Sequence, residues 1–215
     1  MKHVPLIVLL VLVVAACNLT NKFKSGDAAN SNSNSNSSST SSSGNPTKIG
    51  DDPVEQPAPT AAQTAALANG QEVKWDQQGI TWTLPASWKK QTVTNDMFNY
   101  GSGDGAFLIV SISAMAPDFP TDISLKAFHE GAKVRSKNGQ VDEVKWLALD
   151  GVRGVEFRES KPQMADDIRR LQWMTYRKFA GQTQLVNFIL SGRGDNFIKH
   201  QDELYAVLFS TKLVH

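Results

Sequence analysis

Residues 31–45 read Ser-Asn-Ser-Asn-Ser-Asn-Ser-Ser-Ser-Thr-Ser-Ser-Ser-Gly-Asn, without one apolar side chain. Such a run cannot bury enough surface to offset the entropy of its own chain. It therefore divides the sequence. Pro46, Pro53, Pro57 and Pro59 follow, and then the Ala-rich stretch from Thr60 to Ala68. This composition predicts a flexible tract stiffening into a stalk, so residues 17–70 are expected to be a disordered Ser/Asn/Pro/Ala-rich tether. By the square-root rule it spans about 40 Å. Residues 71–215 have globular composition and hold all five tryptophans, Trp75, Trp82, Trp88, Trp146 and Trp173. That length suffices for one independent core. Lys and Arg number 22 against 21 Asp and Glu, which leaves no electrostatic footprint for nucleic acid.

Within the domain, strand signals dominate. Gly79 to Leu84 alternates and stops at Pro85, and Phe107 to Ala114 sets Leu108, Val110, Ile112 and Ala114 on one face. Val144–Leu149 and Val152–Arg158 flank Asp150-Gly151, a strong hairpin signal. Ile168–Phe179 and Thr183–Leu190 flank Ala180-Gly181, a second hairpin. Tight turns make the sheet mainly antiparallel. Two segments carry helical spacing. Ser124 is placed to cap a helix reaching Lys137, with Leu125, Phe128 and Ala132 on one side. Asp195 is placed to cap another, with Phe197, Leu204, Leu208, Ile198, Tyr205 and Phe209 on a broad apolar face. Each helix must bury that face on the sheet, which gives an α+β layered sandwich.

Before the tether, Met1-Lys2-His3 precedes an apolar run from Val4 to Val14 and then Ala15-Ala16-Cys17. Basic start, apolar middle and small residues are the layout of a secretory signal peptide. From Val4 to Ala16 is roughly 20 Å as a helix, short of a bilayer core of about 30 Å. Val14-Ala15-Ala16-Cys17 resembles a bacterial lipobox. The resemblance implies a lipoprotein signal peptide over residues 1–16, diacylglycerol on the Cys17 thiol, and Cys17 as the new N-terminus. Acyl chains there would hold the protein on a membrane. The expected location is the cell membrane or the outer membrane, and Asn18, which is not the aspartate that retains enteric lipoproteins at the inner membrane, favours the outer membrane where there is one.

Ile80-Thr81-Trp82-Thr83-Leu84-Pro85-Ala86-Ser87-Trp88 resembles the opening of the PsbP-like superfamily, a hydrophobic strand followed by Pro, two residues and Trp. A strand, the Ser-Leu-led helix at Ser124, the strand pair around Asp150-Gly151, a long hairpin and a final helix ending Leu208-Phe209-Ser210 continue that order. The resemblance spans about residues 72–212. It implies a six- or seven-stranded antiparallel sheet with helices on both faces, a PsbP-like α/β/α sandwich. It also implies a non-catalytic role in protein binding or assembly, with another envelope protein as partner. No site residue transfers with it.

Candidate chemistry is sparse. His129 and His200 are expected at solvated or rim positions, and no second His follows His129 at zincin spacing. Gly101-Ser102-Gly103-Asp104-Gly105 precedes a strand rather than a helix, so it reads as a turn and not a phosphate cradle. Asp166-Asp167 offers too few oxygens for a hard cation and reads as a solvated loop. In Arg193-Gly194-Asp195 the glycine and aspartate are expected to serve as turn and helix cap. Trp75, Trp82 and Trp88 are expected to fill the core in preference to lining a groove. No catalytic constellation, metal set or cofactor motif emerges, so no enzyme is expected. The alternative to a protein-binding role is an envelope module for a small ligand or a metal. A flat or grooved apolar surface would favour the first, a closed pocket with convergent polar groups the second.

Overall fold

A computed structural model describes residues 52–164 and 166–214. The expected signal peptide over residues 1–16, Cys17 and the tract through residue 51 lie outside the described residues.

In chain order the elements are β1 (Val54–Glu55), α1 (Ala61–Ala66), β2 (Gln71–Trp75), β3 (Ile80–Leu84), β4 (Lys89–Val93), β5 (Met97–Gly101), β6 (Ala106–Ala114), α2 (Thr121–Lys137), β7 (Val141–Leu149), β8 (Val152–Glu159), β9 (Ile168–Phe179), β10 (Gln182–Arg193), α3 (Gly194–Lys199), α4 (Gln201–Phe209) and β11 (Lys212–Leu213). Eight strands form the main sheet in the order β1-β7-β8-β9-β10-β6-β5-β4, and β11-β3-β2 form a small one. The fold is the expected α+β sandwich, with a sheet larger than expected. Every neighbouring pair in the main sheet is antiparallel except β1 with β7.

Both expected hairpins form. Asp150 and Gly151 have φ of 49° and 84°, and Ala180 and Gly181 have 49° and 78°. Two consecutive left-handed residues match the twist of the strands they join. The main sheet then offers two faces. On the inner face, Leu108, Val110, Leu171, Trp173, Val186, Phe188 and Leu190 meet the small sheet, α3 and α4 in the larger core. On the outer face, α2 seals a second core with Leu125 and Ala132 against Trp146, Val155 and Phe157.

Three local expectations are corrected. The first helix begins at Thr121, and the Ser124 amide already bonds to the Pro120 carbonyl at 3.0 Å. Ser124 is therefore inside the helix, where its hydroxyl meets the Tyr176 hydroxyl at 2.8 Å. The second helix starts at Gly194 and breaks at His200 into α3 and α4, so Asp195 is not its cap. The break turns Ile198 away from the face it was assigned, leaving it 49% exposed. Lastly, residues 52–70, read from composition as stalk, contain β1 and α1. Thr60 and Gln63 form a reciprocal capping box on α1, which packs on α4.

Candidate interaction surface

Alternation along the central strands decides which side chains look outward. Because opposite residues in a ladder share a face, Gln172, Ile189, Ile109 and Asn99 form one row across β9, β10, β6 and β5. Met174, Asn187, Ser111 and Met97 form the next. α2 packs on β7, β8 and β9. Among the described residues no other helix packs on this face, so its β10-β6-β5 half lies open. There Phe107, Ile109, Leu185 and Ile189 are half-buried and Met97 is 42% exposed. The Gln172 amide donates to Asn187 Oδ1 at 2.6 Å, which ties the border of the covered half to the open one.

A groove of about 360 Å³ runs along that border. Phe128, Gly131 and Arg135 of α2 form one wall, and Phe157, Gln172 and Met174 of the sheet form the other. A side chain added at Gly131 would meet nothing, so the helix is narrowest where the groove opens. Flat apolar rows interrupted by amides, next to a shallow groove, suit contact with another polypeptide. Pockets elsewhere are also open, among them one of about 400 Å³ between α1, α4 and β3, lined by Leu67, Thr83, Ala206 and Phe209.

A charged network lies under α4 on the inner face. Glu156 is fully buried, with Lys145 Nζ 3.6 Å from its Oε2. Burial pushes its carboxyl up to about 7. Lys145 also reaches Glu143 at 2.7 Å and Glu55 of β1 at 3.4 Å. The Tyr205 hydroxyl donates to Glu143 at 3.1 Å and accepts from Arg158 at 3.1 Å. Burial raises the Tyr205 phenol well above its ordinary range. Burial would also raise Glu143, but the hydrogen bond and charge of Lys145 outweigh it and hold that carboxyl low. The network thus joins β1, β7, β8 and α4, and it carries a proton that titrates near neutrality.

The histidines are not where they were expected. Both are buried, His129 at 2% exposure and His200 at 9%. His129 stacks on Trp146 with ring centroids 4.4 Å apart, because α2 turns it inward beside Leu125 and Ala132. His200 sits at the α3–α4 break, with Nε2 2.9 Å from Asp104 and Nδ1 3.5 Å from Glu203. Lys199 and Ser102 also bond Asp104 and hold its carboxyl well below the usual range. This pins the helix break to the Gly101–Gly105 segment, which is the expected turn from β5 to β6. Among the described residues no group of three or more His, Cys, Asp or Glu side chains is arranged to hold a metal.

Trp75, Trp82 and Trp88 are fully buried in the inner core, as expected. Trp75 donates to the Thr94 carbonyl at 2.8 Å, and Trp88 donates to Glu203. Asp166 and Asp167 are exposed ahead of β9. Arg193 ends β10, and exposed Asp195 pairs with Lys161 at 3.3 Å. Cys17 lies outside the described residues, and among those described no helix is long and apolar enough to cross a membrane.

No family model and no curated protein matches the chain. Among solved structures it is similar to the cyanobacterial PsbP protein CyanoP from Synechocystis, at 17% identity and TM-score 0.44, over 67% of this chain and 92% of that one. It is similar to LpqN of Mycobacterium tuberculosis, a protein involved in cell envelope biogenesis, at 11% identity and TM-score 0.46, over 67% and 90%. It is also similar to the Ran-binding protein Mog1p of Saccharomyces cerevisiae, at 11% identity and TM-score 0.39, over 68% and 96%.

Proposed function

We propose that this protein is a membrane-anchored extracytoplasmic lipoprotein whose globular domain binds another protein of the cell envelope, in a non-catalytic accessory or assembly role. The anchor is the acylated thiol of Cys17. The observation that carries the binding role is the open half of the outer face, with Phe107, Ile109, Leu185, Ile189 and Met97 in rows beside the α2 groove. Apolar area of that kind is stabilised by a macromolecular cover at about 25 cal/mol per Å².

In-cell photo-crosslinking from positions 109 and 189 of the full-length protein tests the reading. A reproducible envelope protein captured from both positions, and not from exposed position 166, is the expected result. Capture equal at all three positions would count against a partner on this face and turn attention to a small ligand. Cys17→Ser should move the protein from the membrane to the soluble fraction, and unchanged membrane retention would refute the anchor.

A further inference from the structure

We infer that the outer edge of β7 is a strand-addition site for an extended acidic segment of a partner protein, occupied in this structure by the chain's own residues 52–55. The inference rests on the protein-binding reading and gives it a second, chemically defined surface.

β1 pairs with β7 in parallel, Val54 opposite Trp146 and Glu55 opposite Leu147. It covers two residues of a strand that runs nine, Val141 to Leu149. The reason is local: Pro53 and Pro57 flank it, and a proline has no amide hydrogen with which to lengthen a ladder. Nor does the segment hold on by burial. Residues 52–56 are all exposed, Val54 at 41%. Its attachments are ionic: Asp52 lies 2.9 Å from Lys133 and 3.7 Å from His129, and Glu55 lies 3.4 Å from Lys145.

In the register of β1, Asp52 stands opposite Val144, and a strand extended backwards from that position would run alongside residues 141–143. A groove of about 440 Å³ lies there, lined by Lys133, Ser136, Lys137, Asp142, Glu143 and Val144. Its two acids are already engaged, Asp142 by Arg169 and Glu143 by Lys145 and Arg158. Among the described residues Lys137 forms no ion pair, and Lys133 is the residue that holds Asp52. A proline-free strand with carboxylates spaced like Asp52 and Glu55 would pair along more of β7 and meet the same lysines. The opposite edge differs. β4 exposes Lys89 and Lys90 and carries a register shift before Thr92, features that blunt an edge against added strands.

The test uses the full-length chain, wild type and Asp52→Lys/Glu55→Lys, whose two substitutions are both on exposed side chains. The probe is a fluorescein-labelled peptide with the sequence of residues 48–58 carrying Pro53→Val and Pro57→Val. Freeing the edge from its tethered competitor should tighten peptide binding about ten-fold or more over wild type. Hydrogen exchange should slow at β7 amides, and a peptide with its acids changed to amides should bind about ten-fold more weakly. A double variant with an unchanged thermal melt that ignores the peptide would overturn the inference, as would protection confined to β4 or to the open face. Either result, beside a partner still captured from positions 109 and 189, removes this edge and leaves the binding role standing. Peptide protection of β7 with no partner captured in cells sustains the edge and counts against that role.

Discussion

The two faces of the main sheet are made by the same strands and have opposite fates. Leu108 and Ile109 are adjacent in β6, yet Leu108 is sealed beneath the small sheet and α4 while Ile109 is half-exposed in the open rows. A strand's alternation gives both sides apolar residues here, and what differs is the supply of covering elements. Four tryptophans, Trp75, Trp82, Trp88 and Trp173, fill the inner side. One helix, α2, covers part of the outer side and stops at β9. Apolar content therefore does not distinguish core from surface in this domain; the reach of α2 does.

That contrast can be broken most forcefully at Trp173, which is fully buried and donates its indole N–H to the Leu147 carbonyl at 3.0 Å. Trp173→Ala should cost about 3–5 kcal/mol in denaturant titration, because it opens a cavity and removes the indole hydrogen bond to that carbonyl. A loss below about 1 kcal/mol would mean the inner face is not the stabilising one.

The next effect lies in the charged network. The Glu156 carboxyl has an ordinary value of 4.5 and stands at about 7 in the fold. Between those pH values the folded chain keeps a proton that the unfolded chain has released, so stability falls as pH rises through the window and levels off above it. At about 1.4 kcal/mol per unit, the shift bounds the loss at a few kcal/mol. Glu156→Gln should flatten the slope when denaturant midpoints are compared at about pH 5 and about pH 8. An equal slope in the variant would assign the dependence to other groups.

Gly154 sharpens the comparison from the opposite direction, by overfilling rather than emptying. A methyl group there would strike the Trp173 indole and come within 2.7 Å of the Met174 carbonyl oxygen. Gly154→Ala should destabilise by about 1–3 kcal/mol, while Gly131→Ala, in open space on α2, should be neutral or slightly stabilising in the same melt. The smallest stability effect belongs to Ile109→Ser on the open rows, under about 1 kcal/mol. Its measurable consequence is in binding, where crosslinked partner captured from position 189 should fall several-fold.

How legible this was in the sequence varies with the cause of each feature. β6, β8, β9 and β10 show as alternation, and their hairpins show as left-handed turn residues, because both signals are local. β4 does not: Lys89-Lys90-Gln91 is polar throughout, as an edge strand can be. β1 has only two residues and is defined by a partner strand roughly ninety positions away, so no local pattern marks it. α1 left a readable trace in Thr60-x-x-Gln63, which the surrounding alanines and prolines masked as stalk. His129 was misjudged because a polar type on a helix was assigned to water, while the stacking surface of Trp146 waits across the layer. The outward residues of the open rows were visible in β6 and β10. Their lack of cover was not, since it depends on strand order.

Strand order also governs when this domain can fold. β10 lies between β9 and β6, so residues 182–193 complete the sheet on both sides at once. β6 ends at Ala114, and its partner begins at Gln182, with α2 and three strands, β7, β8 and β9, between them. Closing so long a loop carries an entropic cost that local contacts do not offset, which slows the search for the native arrangement. Until β10 is synthesised, β4, β5 and β6 form a meander with no sheet neighbour on its inner side. Folding should accordingly begin in the β7–β10 meander and recruit the earlier strands last, an order that pulse-labelled amide exchange would read as late protection of β5 and β6.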